Sequence, residues 1–378
     1  MHGGALFPPA PGTSIKNADA SKAHGVPGVV AVVIERSRGL AGVVAEKPHQ
    51  VRQALSVLRI GWDHPQDAAG EHPAAKVHRF WQGEQRDFEH ELLSEGADEI
   101  VTATDTQLEG VYQTPFLAHG AIEPRAGLAW ARKDKVEVWC GSQAPFFVQG
   151  RVAQLLGRSR DEVTVHPLRM GGAFGGRVPC QPAETAALLS RASGHPVKVQ
   201  WSREDEFRHN YLQPPFLHEI RAGVDNEGTI SHWHHDFASA PILFGLREIP
   251  EIAHIILDRL ADKGTARGAL SPYRAANKRI RYSDIRLPIS TGAWRGLGTV
   301  PNNFAVESMM DELAHKAEMD PLQFRLKNLD PGNRRLEPVL KKAAEMAGWG
   351  RTLARDRGLG IAGGVYRGKT FVAAVVEV

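Results

Sequence analysis

Cysteine is nearly absent. Cys140 and Cys180 are the only two in 378 residues, too few for a disulfide framework or for ligating an iron-sulfur cluster. If electrons pass through this protein, another chain carries them onward. Long hydrophobic runs are lacking too, so no membrane span is expected. The opening Met1-His2-Gly3-Gly4-Ala5-Leu6-Phe7-Pro8-Pro9 has neither the basic nor the apolar region of a signal peptide. A formal net charge of +3 with no basic block leaves no electrostatic footprint for nucleic acid or an anionic membrane surface. No repeat or low-complexity tract occurs, and nothing marks a compartment. What remains is the composition of a folded protein long enough for two or three domains.

The most informative run is Met170-Gly171-Gly172-Ala173-Phe174-Gly175-Gly176-Arg177. Two glycine pairs flanking one aromatic make a loop whose backbone amides can approach a bound group closely. The stretch 162–168 before it reads as a strand and Pro182 to Ser190 after it as a helix start, which places the glycines at a strand-to-helix turn. A phosphate-binding P-loop would end in Gly-Lys-Ser/Thr, and Arg177-Val178 offers neither residue. A dinucleotide fingerprint nearly fits Gly171, Ala173 and Gly176, but alanine stands where the middle glycine is needed. A purely structural glycine turn is the remaining alternative.

Short β-branched runs from Gly25 to Val44 followed by helical spacing over Pro48 to Leu58 predict a small α/β unit over residues 1–62. Residues 63–99 have no sustained periodicity and read as a linker or wrapping arm. Residues 100–350 read as one mixed domain. Its clearest elements are a hairpin turning at Asp225-Asn226-Glu227-Gly228, a helix over 303–318 burying Val306, Met310, Leu313 and Ala317, and a second helix capped by Asp320. A new unit is expected at 351–378, where the apolar run 370–378 stops without pairing partners, as in a fragment of a longer protein. His232, His234 and His235 raise the idea of a metal site, yet no carboxylate or cysteine has ligand spacing, so they read as half-exposed strand residues. Arg203-Glu204-Asp205-Glu206 reads as a solvated charge run, and Cys180 as a buried structural cysteine.

Several motifs, in a fixed order, resemble the molybdenum-cofactor subunit of the xanthine dehydrogenase and aldehyde oxidase family, especially its bacterial isoquinoline and nicotinate hydroxylase branches. Ala118-His119-Gly120-Ala121-Ile122-Glu123-Pro124 is similar to that family's histidine to Glu-Pro segment, and Gly141-Ser142-Gln143-Ala144-Pro145 to its Thr/Ser-Gln motif. The glycine loop resembles Gly-Gly-Gly-Phe-Gly-Gly-Lys. Thr291-Gly292-Ala293-Trp294-Arg295-Gly296-Leu297-Gly298 resembles Ala-Phe-Arg-Gly-Phe-Gly, with Glu307 and Asp311-Glu312-Leu313-Ala314 matching the helix after it. The start, in Pro8 to Gly12 and Val26-Pro27-Gly28-Val29-Val30, resembles the family's hammerhead domain. The fold class implied is α+β: a small hammerhead-type α/β domain, then a mixed molybdenum-cofactor-binding domain, with a second such domain beginning at 351.

The resemblance implies a molybdopterin cofactor, commonly the cytosine dinucleotide form in bacteria, with no protein ligand to the metal. Gln143 would hydrogen-bond the metal's oxygen ligands or the pterin. Gly172, Ala173, Phe174, Gly175 and Gly176 would form the cradle, Phe174 and Gly175 lying against the molybdenum. Arg295, followed by Gly296, would line the substrate pocket where charge develops. A small [2Fe-2S] subunit would take the electrons, with a cytochrome as a further acceptor. Two departures bear on substrate: Arg177-Val178 replaces the Lys-Glu of purine-oxidising members, and Leu297 replaces an aromatic. Both disfavour a purine and favour a smaller heteroaromatic ring or an aldehyde. The family's general-base glutamate lies in a Gly-x-Gly-Glu motif that does not occur in these residues, so the chain alone is expected to be inactive. A non-catalytic binding or assembly module, and a nucleotide-binding oxidoreductase, are the competing readings.

Overall fold

The structure is a computed structural model, and it describes residues 1–9, 13–63, 73–84, 88–96, 106–243, 261–287 and 289–378. In chain order the first elements are β1 (His2–Leu6), β2 (Ser14–Asp19), α1 (Ser21–His24), β3 (Val29–Glu35), β4 (Leu40–Ala45), α2 (Pro48–Val57), β5 (Arg59–Asp63), α3 (Pro73–Trp81), β6 (Phe88–Glu95) and β7 (Thr106–Thr114). Then come β8 (Ala126–Ala131), β9 (Val136–Cys140), α4 (Pro145–Leu156), β10 (Val163–Pro167), α5 (Gln181–Ser193), β11 (Val197–Gln200) and α6 (Arg203–His209). The last are β12 (Phe216–Val224), β13 (Ile230–Ser239), β14 (Asn277–Asp284), α7 (Thr299–Lys316), α8 (Pro321–Asn328), α9 (Leu336–Ala347), β15 (Leu359–Tyr366) and β16 (Thr370–Glu377).

Contacts divide the chain into two compact units. The first comprises Met1–Pro73, Ala118–Leu212 and Pro288–Ser290. Its main sheet has the order β10-β9-β8-β11-β1-β4-β3, with β1 parallel to β11 and β9 parallel to β10. Successive residues of a strand face opposite sides, and β1 uses this with two glycines. A Cβ on Gly3 would meet Leu189 of α5 at 2.8 Å, and one on Gly4 would meet Val51 of α2 at 2.8 Å. The bare strand therefore lets helices close in on both faces. A two-stranded sheet, β2 with β5, completes this unit.

The second unit comprises Ala74–Leu117, Gln213–Leu287 and Thr291–Val378. Its five-stranded sheet has the order β6-β14-β13-β12-β7. The predicted hairpin is β12–β13, closed by Asp225, whose Oδ1 accepts from the backbone N–H groups of Glu227 and Thr229 at 2.9 and 2.8 Å. Helix α7 buries Val306, Met310 and Leu313 as its spacing predicts. Asp320 caps α8 by accepting from Leu322 and Gln323, both at 3.0 Å.

Four readings differ from the structure. Residues 63–99 are not a bare linker, since their described part carries α3 and β6, and β6 pairs antiparallel with β14. The closing strand β16 has a partner, β15, registered from Leu359↔Glu377 to Tyr366↔Thr370, and Phe371, Ala373 and Val375 pack into the core that contains Leu336 and Leu340 of α9. The hairpin lies within the second unit. His232, His234 and His235 are buried, because β13 runs in the middle of its sheet. Glu206 is buried as well, accepting from the Arg125 backbone N–H at 2.6 Å beside the Arg125 guanidinium.

A polar knot ties the second unit together. Glu307 Oε2 accepts from Arg325 Nε at 2.9 Å and from the Gly363 N–H at 2.8 Å, while its Oε1 accepts from Tyr273 at 2.8 Å. Arg325, fully buried, also donates to Asp311 at 2.7 Å. One carboxylate thus joins α7, α8, β15 and the Tyr273 segment. Arg325→Met should lower stability by about 3–5 kcal/mol, as for one partner lost from a buried pair, read as a fall in urea midpoint; a fall worth under about 1 kcal/mol would overturn the assignment.

The same unit contains a buried histidine pair, His218 Nδ1 and His235 Nε2 at 3.0 Å. Burial holds His218 well below its ordinary value and pushes His235 down to about 4. Above pH 6.5 both are neutral, folded or unfolded, and no penalty exists. As pH falls from there toward the folded values, only the unfolded chain takes up protons, so stability is lost. From pH 7.5 to 5 the His235 contribution is on the order of 2 kcal/mol, and His235→Asn should flatten that slope; an equal slope in variant and wild type would show the pair is not its source.

Candidate cofactor-binding site

Strands β9 and β10 are parallel neighbours, paired from Val136↔Val163 to Cys140↔Pro167. Their C-terminal ends therefore lie side by side, and each feeds a loop and then a helix. The loop after β9 holds Ser142 and Gln143 and leads into α4; the loop after β10 is the glycine loop and leads into α5. Crevices at the carboxyl ends of parallel strands are where open sheets hold ligands. Cys140 and Cys180 lie beneath these loops, both buried, and the Cys180 thiol and burial together push the Cys140 thiol up.

The two loops are laced together. Gln143 Oε1 accepts from the Gly175 N–H at 3.1 Å and the Arg177 N–H at 3.3 Å, and the Gln143 N–H donates to the Arg177 carbonyl at 2.8 Å. Ser142 Oγ lies 3.2 Å from the carbonyls of Arg177 and Val178. Glu123 Oε2 accepts from the Gly171 N–H at 2.6 Å and from Arg177 Nη1 at 2.9 Å, and Arg177 Nη2 donates to the Glu123 carbonyl. The Gly171 amide first and then Arg177 hold the Glu123 carboxyl below its ordinary value. His119 packs against Gly176, where a Cβ would sit 2.6 Å from His119 Cγ. His119 Nδ1 also lies 3.2 Å from Asn210 Nδ2.

Between these anchors the N–H groups of Gly172, Ala173 and Phe174 have no partner among the described residues, nor has Gln143 Nε2. Phe174 is 42% exposed, with φ of 53°, flanked by Gly172 and Gly175 at 106° and 97°. A phenylalanine in the left-handed region costs about 1–2 kcal/mol and persists only where its surroundings hold it. Four donors and an exposed aromatic ring face are what this stretch offers a flat, oxygen-rich group.

Arg295 and Gly296 belong to the second unit, whereas Gln143 and Gly172–Gly176 belong to the first. The structure thus brings the loop residues together with Gln143 and places Arg295 on its own turn before α7. Gly296 and Leu297 have φ of 95° and 56°, and the Leu297 N–H donates to the Trp294 carbonyl at 2.7 Å. Leu297 packs against the core of Phe216, Phe237 and Tyr282, which is why an aliphatic side chain suits it. Arg295 is exposed and has no ion pair among the described residues. A cavity of about 450 Å3 in the first unit is lined by His2, Arg52, Lys198 and Trp201 and contains none of these residues. Among the described residues no group of three or more His, Cys, Asp or Glu could hold a metal ion, and no helix is long and apolar enough to cross a membrane.

A family model described as the molybdopterin cofactor-binding domain matches residues 82–329. The chain belongs to that family. A nicotinate dehydrogenase chain of Pseudomonas putida is 29% identical over 99% of this chain and 32% of its own length. The beta chain of isoquinoline 1-oxidoreductase from Brevundimonas diminuta is 28% identical over 94% of this chain and 46% of its own. The chain therefore spans a third to a half of these curated relatives. The fold matches aldehyde oxidoreductase from Desulfovibrio gigas with a TM-score of 0.74, at 22% identity, over 96% of this chain and 45% of that one. The mixed α/β architecture is thus that of the molybdopterin-binding domains of aldehyde oxidoreductases.

Sequence reasoning quoted Glu123 and Arg177 within their motifs but gave neither a task in the loop. The signal was their fixed place at the ends of two motifs that must meet. Phe174→Gly should leave the urea midpoint equal to or above that of the wild type, since it removes left-handed strain and little packing. A loss of more than about 1 kcal/mol would show instead that the ring is a structural contact.

Proposed function

We propose that the chain is the molybdopterin-holding part of the large subunit of a molybdenum hydroxylase. Such an enzyme hydroxylates an N-heteroaromatic compound, or oxidises an aldehyde, with oxygen taken from water. The observation that carries this reading is the laced glycine loop, whose three consecutive amides at Gly172–Phe174 have no partner among the described residues, in a chain of the molybdopterin-binding family. Two relatives whose names specify nicotinate and isoquinoline favour the heteroaromatic class. Residues 1–62 are the hammerhead-like part, 100–350 the first molybdopterin-binding domain and 351–378 the start of the second.

In this reading Gln143 and the backbone of Gly172, Ala173, Phe174, Gly175 and Gly176 hold the cofactor. Gln143 Oε1 is committed to the loop, so it is the Nε2 end that donates to the group. When bound, molybdopterin supplies a metal centre that accepts an electron pair from the substrate. Arg295, a permanent cation with no ion pair among the described residues, stabilises negative charge that develops on the substrate, and Gly296 turns the chain directly behind it. Arg177 is engaged by Glu123 and Val178 brings no carboxylate, so a purine is not favoured. The cofactor is the cytosine dinucleotide form, and [2Fe-2S] clusters on a small partner subunit take the electrons, passing them to a cytochrome. The general base comes from polypeptide outside these residues. Its absence costs roughly 10² to 10⁴ in rate, and with half the cradle missing the 378 residues alone are inactive.

Molybdenum and cytidine monophosphate released by hydrolysis should be stoichiometric with the chain in the assembly isolated with its iron-sulfur partner. Gln143→Ala should lower both several-fold, by about one hydrogen bond's worth of affinity. Absence of molybdenum from the wild-type assembly would remove the cofactor reading, and oxidation of nicotinate or isoquinoline by the isolated chain would refute its inactivity.

A further inference from the structure

We infer that Glu123 and Arg177 form a clasp that sets the shape of the glycine loop before any ligand arrives, making Arg177 a positioning residue and not a ligand contact. The inference rests on the molybdopterin reading only for what the loop is shaped to hold.

A run with four glycines has little shape of its own, and fixing each residue on ligand binding costs about 1–2 kcal/mol. Ties made in advance lower that cost. Here the clasp ties fall on either side of the Gly172–Phe174 stretch. Gly171 is held by Glu123, and Arg177 is held by Glu123 through its guanidinium and by Gln143 through its backbone. The amides of Gly172, Ala173 and Phe174, without partners among the described residues, are the stretch between. The left-handed Phe174 sits in that stretch, where an unrestrained loop would relax it.

Arg177 itself faces inward. Its side chain is 4% exposed, and both terminal nitrogens donate to Glu123, one to the carboxylate and one to the backbone carbonyl. A cation at this motif position looks like a counter-charge for an anionic ligand, yet the Glu123 carboxylate already neutralises it. Spanning a carboxylate and a carbonyl at once requires the planar fork of arginine, which the single ammonium of lysine cannot reproduce.

The test is amide hydrogen exchange over residues 168–180 of the purified chain, comparing wild type with Arg177→Lys, Glu123→Gln and the double variant. Each single variant should speed exchange at the hydrogen-bonded amides of Gly171, Gly175 and Arg177 by about tenfold or more, as for loss of a charge-assisted hydrogen bond. The double variant should add little, because both changes open one clasp. Ile122→Ala, an exposed neighbour, should change nothing, and β9 and α5 should keep their protection in every variant. If a variant fails to fold, the wild-type loop decides: its exchange, corrected for the intrinsic rate, should rise as falling pH protonates Glu123. Unchanged loop exchange in folded variants overturns the clasp. Unchanged exchange together with lost pterin in the assembled enzyme would make Arg177 a ligand contact. Faster loop exchange in the variants, with no pterin in the wild-type assembly, keeps the clasp and removes the cofactor reading.

Discussion

A loop made of glycine can present amides to a ligand only if something else keeps those amides from finding each other. That constraint organises the first unit. The parallel pairing of β9 and β10 brings the loops of Gln143 and Gly171–Arg177 to one edge. Glu123 and Gln143 then take up the amides on either side, and the middle ones have no partner among the described residues. Each participant is chosen by its chemistry. A glutamine can accept with one end while its other end still donates, and a carboxylate can hold an amide and a guanidinium at the same oxygen. Side chains support the site here, and backbone forms its surface.

The second unit solves a related problem with a buried charge. Glu307, Arg325, Tyr273 and Asp311 leave few lone pairs or protons unsatisfied, so the ion pair is tolerated in a core. Burial opposes the charge on Arg325, and its carboxylate neighbours outweigh that and raise its pKa. Because Glu307 also accepts from the Gly363 N–H, the knot fixes the closing hairpin to the helices.

Much of this was legible from local pattern. Periodicity located α7 and its buried face, turn chemistry located the hairpin at Asp225, and the Asp-Pro pair located the start of α8. What escaped notice depended on distant partners. Strand β6 carries Glu89 and Glu91 on a sheet edge, with Glu89 paired to Arg281, so it reads as polar linker although it completes a sheet. The histidines of β13 look half-exposed because alternation shows one face, while a central strand is covered on both. The free amides were inferred from glycine content, but the roles of Glu123 and Arg177 required knowing which motifs meet.

The place of β1 has a consequence for how the protein is made. A strand from the first residues of the chain lies inside the main sheet, with His2 beside Lys198 on one side and beside Ala45 on the other. At ribosomal speeds of about 5–20 residues per second, roughly 8–30 s separate the emergence of those two neighbours. During that interval β1 and its glycines have an open edge and only one flanking strand. Folding of the first unit is therefore tied to late synthesis, and the nascent chain has reason to need protection from edge-to-edge association until β11 arrives.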